Sequence, residues 1–289
     1  MSETNQNPGA TASAKTAARL CKGRQADVDG AWRALRDEAV RVLKDEPSLS
    51  HLLEDVILSR GTPAAALAAR LARRLAREDM PRTTLEPLIR DVFTDHPLIL
   101  HSAIRDMLAI YDRDPACFSP LEPVLFFKGF LALTTYRVAH QFWNDGRRWL
   151  ALYLQSLTSE VFAVDIHPAA RIGCGIMIDH ATSFVVGETA IIEDDVSILH
   201  EVTLGGTGKD SGDRHPVVRS GVLIGAGAKI LGRVEIGTGS KVGAGSVVLE
   251  DVPPHSTVAG VPAVLVGQAH ELNPAIEMNQ RLDAERSRE

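Results

Sequence analysis

Between Ile166 and Val248 the chain repeats every six residues, a period that few folds accommodate. Ile166, Ile172, Ile178, Phe184, Ala190, Val196 and Val202 follow one another at that spacing without a slip. After an interruption Val218, Ile224, Ile230, Ile236, Val242 and Val248 resume it. A fixed short period is the mark of a solenoid, and a hexapeptide period belongs to the parallel β-helix. Each hexapeptide supplies one short strand and one turn, and its aliphatic points into a narrow core. Three hexapeptides close a triangular coil of eighteen residues, and coils stack at the ordinary strand spacing of about 4.8 Å. Gly173, Gly225, Gly237 and Gly243 each follow an inward position directly, where tight corners bring backbones together. The span predicts a prism of about four coils with a flat face on each side. Aromatics at 5% fit an interior filled by small and branched aliphatics.

Where six residues would carry Val202 to the next inward position, sixteen carry it to Val218. Residues 203–217 therefore predict a loop ejected from the prism, with four glycines and a dense polar set. Loops on a rigid scaffold are where function is usually placed.

Upstream the period is helical. Trp32, Leu35, Ala39, Val42 and Leu43 share a helix face, and Thr62-Pro63 reads as an N-cap with proline at the first helical position. It opens an Ala- and Arg-rich run whose basic face is expected to be solvated. Further amphipathic segments run near 85–93, 98–111, 124–143 and 147–159. The chain thus divides into a disordered tail (1–28), an all-α domain (29–160), a β-helix (161–267) and a flexible C-terminal tail (268–289), an α+β protein overall. Residues 258–263 are placed to cap the distal end of the solenoid.

Composition narrows the function classes. A net charge of -6 speaks against nucleic acid, whose phosphates need clustered Lys and Arg. Cys21, Cys117 and Cys174 form no CxxC pair, which fits a reducing compartment and points to the cytoplasm. The longest apolar stretch, around 123–133, is broken by Lys128 and is too short to span a bilayer. No apolar run marks a signal peptide in the first residues.

The segments Asp165-Ile-His-Pro-Ala-Ala, Asp179-His-Ala-Thr182, Val186-Gly-Glu-Thr189, Gly205-Gly-Thr-Gly-Lys209, Asp213-Arg-His-Pro216 and Gly260-Val-Pro-Ala263, in that order, resemble serine O-acetyltransferase, of the hexapeptide-repeat acyltransferase superfamily. The likeness spans roughly residues 85–267. It implies a left-handed β-helix, where general crossover statistics favour the right hand. It also implies transfer of acetyl from acetyl-CoA to the hydroxyl of L-serine, the first step of cysteine synthesis, with L-cysteine as feedback inhibitor.

A serine hydroxyl needs a base, and imidazole is suited to that task near neutral pH. The resemblance gives that role to His180 and makes Asp165 the carboxylate that orients it. The two lie fifteen residues apart, three short of a coil, so they are expected to meet across a corner. Arg214 matches a grip on the substrate carboxylate, and Asp179 and Asp114 match partners of its ammonium group. His215 completes that pocket, and Glu188 stands near it. Acetyl-CoA is expected against Gly206 and Thr207, whose neighbouring glycines admit a close ligand, and against Ala226, Lys241 and Ala244 on later coils. No P-loop pattern is present. His167, His180, His200 and His215 lack the close spacing of a histidine metal site, so no metal is expected.

The family assembles as trimers joined into hexamers through the helical domains, which accounts for that half of the chain. Many members end in an isoleucine that enters O-acetylserine sulfhydrylase. This chain ends Asp283-Ala-Glu-Arg-Ser-Arg-Glu289, and Ile276 lies far from the end, so that partner is expected to be lost or differently bound. Two other functions fit less well. An acetyltransferase for a different hydroxyl or amine would not require Arg214, Asp179 and Asp114, and a non-catalytic regulator of cysteine synthesis would not require His180 and Asp165.

Overall fold

A computed structural model describes residues 28–208 and 211–282. The expected N-terminal tail and the last seven residues lie outside the described residues, apart from Val28, which begins a helix. The helical half comprises α1 (Val28–Asp45), α2 (Ser50–Leu53) continuing into a wider turn over Glu54–Leu58, α3 (Pro63–Leu75), α4 (Arg82–Asp95), α5 (Pro97–Arg113), α6 (Leu121–Leu125), α7 (Lys128–Asn144) and α8 (Arg148–Phe162). Thr62 caps α3 as its sequence suggests, its hydroxyl accepting from the Ala65 N–H at 3.2 Å.

The arginines of α3 have inward business. Arg70 is buried and donates to the carbonyls of Val124 and Leu125 at the end of α6. Arg73 joins Arg60 and Arg82 around Asp55, at 2.9, 2.9 and 2.7 Å. The segment expected as one helix over 124–143 is two, because the chain turns at Phe126 and Phe127 between α6 and α7. That break aims the start of α7 at the β-helix.

The strands are β1 (Val164–Ile166), β2 (Arg171–Ile172), β3 (Met177–Ile178), β4 (Phe184–Val186), β5 (Ile191–Ile192), β6 (Ser197–Ile198), β7 (Thr203–Gly205), β8 (Val217–Val218), β9 (Leu223–Ile224), β10 (Lys229–Leu231), β11 (Glu235–Ile236), β12 (Lys241–Val242), β13 (Val247–Val248), β14 (Ser256–Gly260) and β15 (Ala263–Gln268). Every third strand stacks on one face, as β1-β4-β7-β10-β13, β2-β5-β8-β11 and β3-β6-β9-β12-β14. The pairings along these stacks are parallel, and the stacks of five give about five coils rather than four. β15 turns back antiparallel on β14 and closes the end near the expected cap.

The register corrects the unbroken count. Ile166 pairs with Val186 and Ile178 with Ile198, twenty residues on, whereas Val186 pairs with Leu204 at eighteen. Each hexapeptide turns two residues inward, not one. Val164, Ala170, Phe184, Ala190, Val196 and Val202 form a second buried column beside Ile166, Val186, Ile192, Ile198 and Leu204. Because both columns are apolar, a two-residue insertion after Ile178 moves the count from one to the other unseen. That insertion holds His180. The larger one also begins later than expected, since 203–205 form β7, and it leaves the prism only at Gly206.

A buried ion pair joins the halves. Asp106 of α5 meets Arg137 of α7 at 2.7 Å and accepts from the Ile176 N–H at 2.9 Å. Arg137 also donates to the Gly173 carbonyl at 2.6 Å. The described part of the expected flexible tail, residues 268–282, packs against the β-helix. It runs back across the β12 face, with a short helix α9 (Pro274–Glu277) and an exposed Ile276. Ser197 Oγ donates to the Ala275 carbonyl at 2.7 Å, and Lys241 meets Glu271 at 3.4 Å. No helix among the described residues is long and apolar enough to cross a membrane.

Candidate active site

Two corners of the prism gather the polar residues. The first follows β3, β6, β9 and β12, stacking Asp179-His180 over Leu199-His200, Gly225-Ala226 and Gly243-Ala244. Backbone hydrogen bonds tie its rungs, Gly227 N to His200 O at 2.9 Å and Gly245 N to Ala226 O at 2.7 Å. The second follows β1, β4 and β7 and carries His167, Gly187-Glu188 and the ejected loop from Gly206 to Pro216. One strand of three residues, about 10 Å long, separates them.

At the first corner a cavity of about 290 Å³ is walled by Asp114, Phe126, Phe127, Lys128, Asp179 and His180, with Met177 and Ile178 at its back. Asp114 caps the C-terminus of α5, held by the Ala116 N–H on its carboxylate at 2.8 Å. The helical domain therefore supplies one wall of the cavity. Burial raises the Asp179 carboxyl above the usual range, opposed by His180 and reinforced by Asp114. A neighbouring cation, such as an ammonium group, would relieve that strain.

The His180 side chain is 73% exposed, with Nε2 3.8 Å from Asp179 Oδ2. Its ring meets that of His200 edge to face at 5.7 Å, and His200 Nδ1 is buried without a hydrogen-bond partner among the described residues. Asp165 does not meet His180 within this chain. It stands on the face bearing β1, where Gln155 Nε2 of α8 donates to it at 2.6 Å. The three-residue shortfall from a coil does not bring them together, because the two extra residues after Ile178 lengthen this coil.

At the second corner Arg214 pairs with Glu188 at 2.7 Å, which gives Glu188 a definite task. The same contact holds the Glu188 carboxyl below its ordinary range. Thr189 organises the rest. Its Oγ1 accepts from the N–H groups of Arg214 (3.0 Å) and His215 (3.2 Å) and lies 2.9 Å from His215 Nδ1. The Thr189 N–H also donates to that nitrogen at 3.2 Å, so Nδ1 is an acceptor and the proton rests on Nε2. Burial, then the Arg214 charge, lowers the His215 pKa and favours the neutral ring. A Cβ at Gly187 would lie 2.0 Å from the imidazole, so a side chain there would displace the ring.

The cofactor candidates divide between the corners. Ala226 and Ala244 line the first, below His180. Gly206 and Thr207 stand at the second, with the Thr207 methyl packed toward Gly232. Lys241 is not free for a cofactor here. It projects outward from β12 into the C-terminal segment, buried between Glu271 and the Arg281 carbonyl at 3.0 Å. Among the described residues no three His, Cys, Asp or Glu side chains are grouped to hold a metal ion. Neither Thr189, within Val186-Gly-Glu-Thr189, nor Lys128, a charge that breaks an apolar run, is marked by sequence alone as part of a site.

Family models, curated relatives and solved structures all point to one family. The family model "Serine acetyltransferase, N-terminal" matches residues 31–135, and "Bacterial transferase hexapeptide (six repeats)" matches residues 215–250. A serine acetyltransferase of Salmonella typhimurium is 50% identical over 252 residues, covering 87% of this chain and 92% of that one. Among solved structures, a serine acetyltransferase in complex with cysteine superposes with a TM-score of 0.85 at 50% identity, over 87% of this chain and 98% of the other. Another from Brucella abortus, in complex with coenzyme A, gives 0.82 at 50% identity over 83% and 96%.

Proposed function

This chain belongs to the serine acetyltransferase family, and from that premise we propose how its own residues divide the work. The reaction carries acetyl from acetyl-CoA to the hydroxyl of L-serine, yielding O-acetyl-L-serine and CoA, the first step of cysteine synthesis. The observation that carries the assignment of roles is the cavity shared by His180, Asp179 and Asp114.

In this reading L-serine enters with its ammonium group toward Asp179 and Asp114. The His180 imidazole takes the hydroxyl proton as the serine oxygen attacks the thioester carbonyl carbon. The tetrahedral intermediate then collapses, the carbon–sulfur bond breaks, and the departing thiolate recovers the proton from the His180 imidazolium. No acyl-enzyme forms. Asp165, which does not reach His180 within one chain, is assigned to orient the base of a neighbouring copy, Arg214 grips the serine carboxylate with Glu188 holding its guanidinium, and His215 offers its Nε2 proton beside it.

A single chain keeps these groups on opposite corners, so the complete site needs a neighbour. We assign the assembly as a trimer in which the His180 corner of one copy faces the Arg214 corner of the next, with two trimers meeting through their helical domains. Acetyl-CoA then lies in the groove between prisms, against Ala226 and Ala244 of one copy and Gly206 and Thr207 of the other. L-cysteine, a zwitterion of the same size as serine, competes for the same cavity. The test is acceptor selectivity. Acetyl-CoA with L-serine should give O-acetyl-L-serine at least tenfold faster than L-threonine or L-homoserine gives its ester, and equal rates would defeat the pocket assignment.

A further inference from the structure

We propose that Lys128 is a positioning residue whose ammonium, together with the bare Cα of Gly129, clamps the corner that carries His180. The proposal rests on the reading of His180 as the base. That corner is strained: His180, Ala181 and Ser183 have φ of 55°, 60° and 60°, a left-handed conformation that side chains other than glycine adopt at a cost. It is also where the coil carries two extra residues. Such a backbone persists only when its surroundings fix it.

The β-helix supplies part of that restraint, through Ser183 N to Ala163 O at 2.8 Å and Glu201 N to Thr182 O at 2.7 Å. Backbone bonds inside the corner add to it, Ala181 N to Asp179 O at 2.6 Å and Thr182 N to His180 O at 2.8 Å, and the first two residues of α7 add more. Lys128 Nζ donates to Thr182 Oγ1 at 2.5 Å, reaching the residue two beyond His180. Gly129 rests its Cα directly on the Ile178 carbonyl, where a Cβ would approach to 2.1 Å. The helical domain thus grips the corner on both sides of the Asp179-His180 pair, and Lys128, its ammonium bonded to Thr182, also lines the cavity.

A clamp and a substrate contact predict different kinetics. If Lys128 positions His180, Lys128→Met and Thr182→Val should each lower kcat about tenfold and leave both KM values within about twofold. The double variant should be no worse than Lys128→Met alone, since both changes remove one contact, and Lys128→Arg should restore part of the rate. A rise in the L-serine KM with kcat intact would place Lys128 on the substrate and overturn the clamp. Additive losses, or wild-type kcat in a folded Thr182→Val protein, would overturn it too. His180→Ala is measured beside them. Serine-dependent turnover surviving in that variant defeats the base assignment and the clamp with it, whereas its loss beside wild-type kcat in Lys128→Met defeats the clamp alone.

Discussion

Arg214 carries more of the substrate account than any residue except His180. Its guanidinium is positioned by Glu188, and its backbone N–H by Thr189. Charge-assisted hydrogen bonds of this kind contribute about 1.5–3 kcal/mol each, or roughly ten- to a hundredfold in an equilibrium. Replacing Arg214 with Ala should therefore raise the L-serine KM at least tenfold while the acetyl-CoA KM moves by less than about twofold. Steady-state kinetics with each substrate varied in turn decide this, and equal effects on both would remove Arg214 from the serine site. Residue identities here were legible in the sequence because the motifs are short and dense. Their partners were not. Nothing in the spacing of Asp165 and His180 announces that Gln155, from a different domain, takes the Asp165 carboxylate, nor that Thr189 fixes the proton on His215.

The helical elements show how far local patterns reach. The Thr62 cap and the apolar face of α3 could be read directly, yet the fate of its arginines depended on α2, α4 and α6 lying alongside. Asp55 gathers Arg60, Arg73 and Arg82, and the hydrogen bond from Arg82 is the largest of the influences that hold its carboxyl far below the ordinary range. A carboxyl with a depressed folded pKa adds stability above its unfolded pKa of about 3.9, lost as pH falls toward the folded value. Asp55→Asn should therefore lower the Tm at pH 7, and the gap to wild type should close as both are acidified below about 4. A gap independent of pH would mean that Asp55 acts by shape and not by charge. The hexapeptide elements were legible for a similar reason and misread for a related one. Both inward columns are apolar, so a two-residue slip conserved the pattern and hid the corner that bears His180.

The whole molecule explains why the site looks incomplete. The corner with His180 and the corner with Arg214 belong to different ends of the same short strands, and in the proposed trimer closing one site takes two copies. Mixing His180→Ala with Arg214→Ala subunits should then restore activity, because some interfaces in a mixed trimer pair one intact corner with another. Neither variant alone should recover on the same unfolding and refolding treatment. Failure of the mixture, with mixed trimers demonstrated by mass, would place each site within one chain. The order of the C-terminal segment also emerges only at this scale. Polar and irregular in sequence, residues 268–282 gain their shape from contacts to Ser197 and Lys241 on coils far upstream.

The central claim is that His180 removes the proton from L-serine as the acetyl group arrives. Thiol release from acetyl-CoA in the presence of L-serine, measured for wild type and for His180→Ala at saturating substrates, tests it most directly. Loss of a general base costs about 10²–10⁴-fold, so kcat should fall by at least a hundredfold while the variant keeps its fold and its affinity for acetyl-CoA. Serine-dependent release at the wild-type rate in His180→Ala would contradict the account.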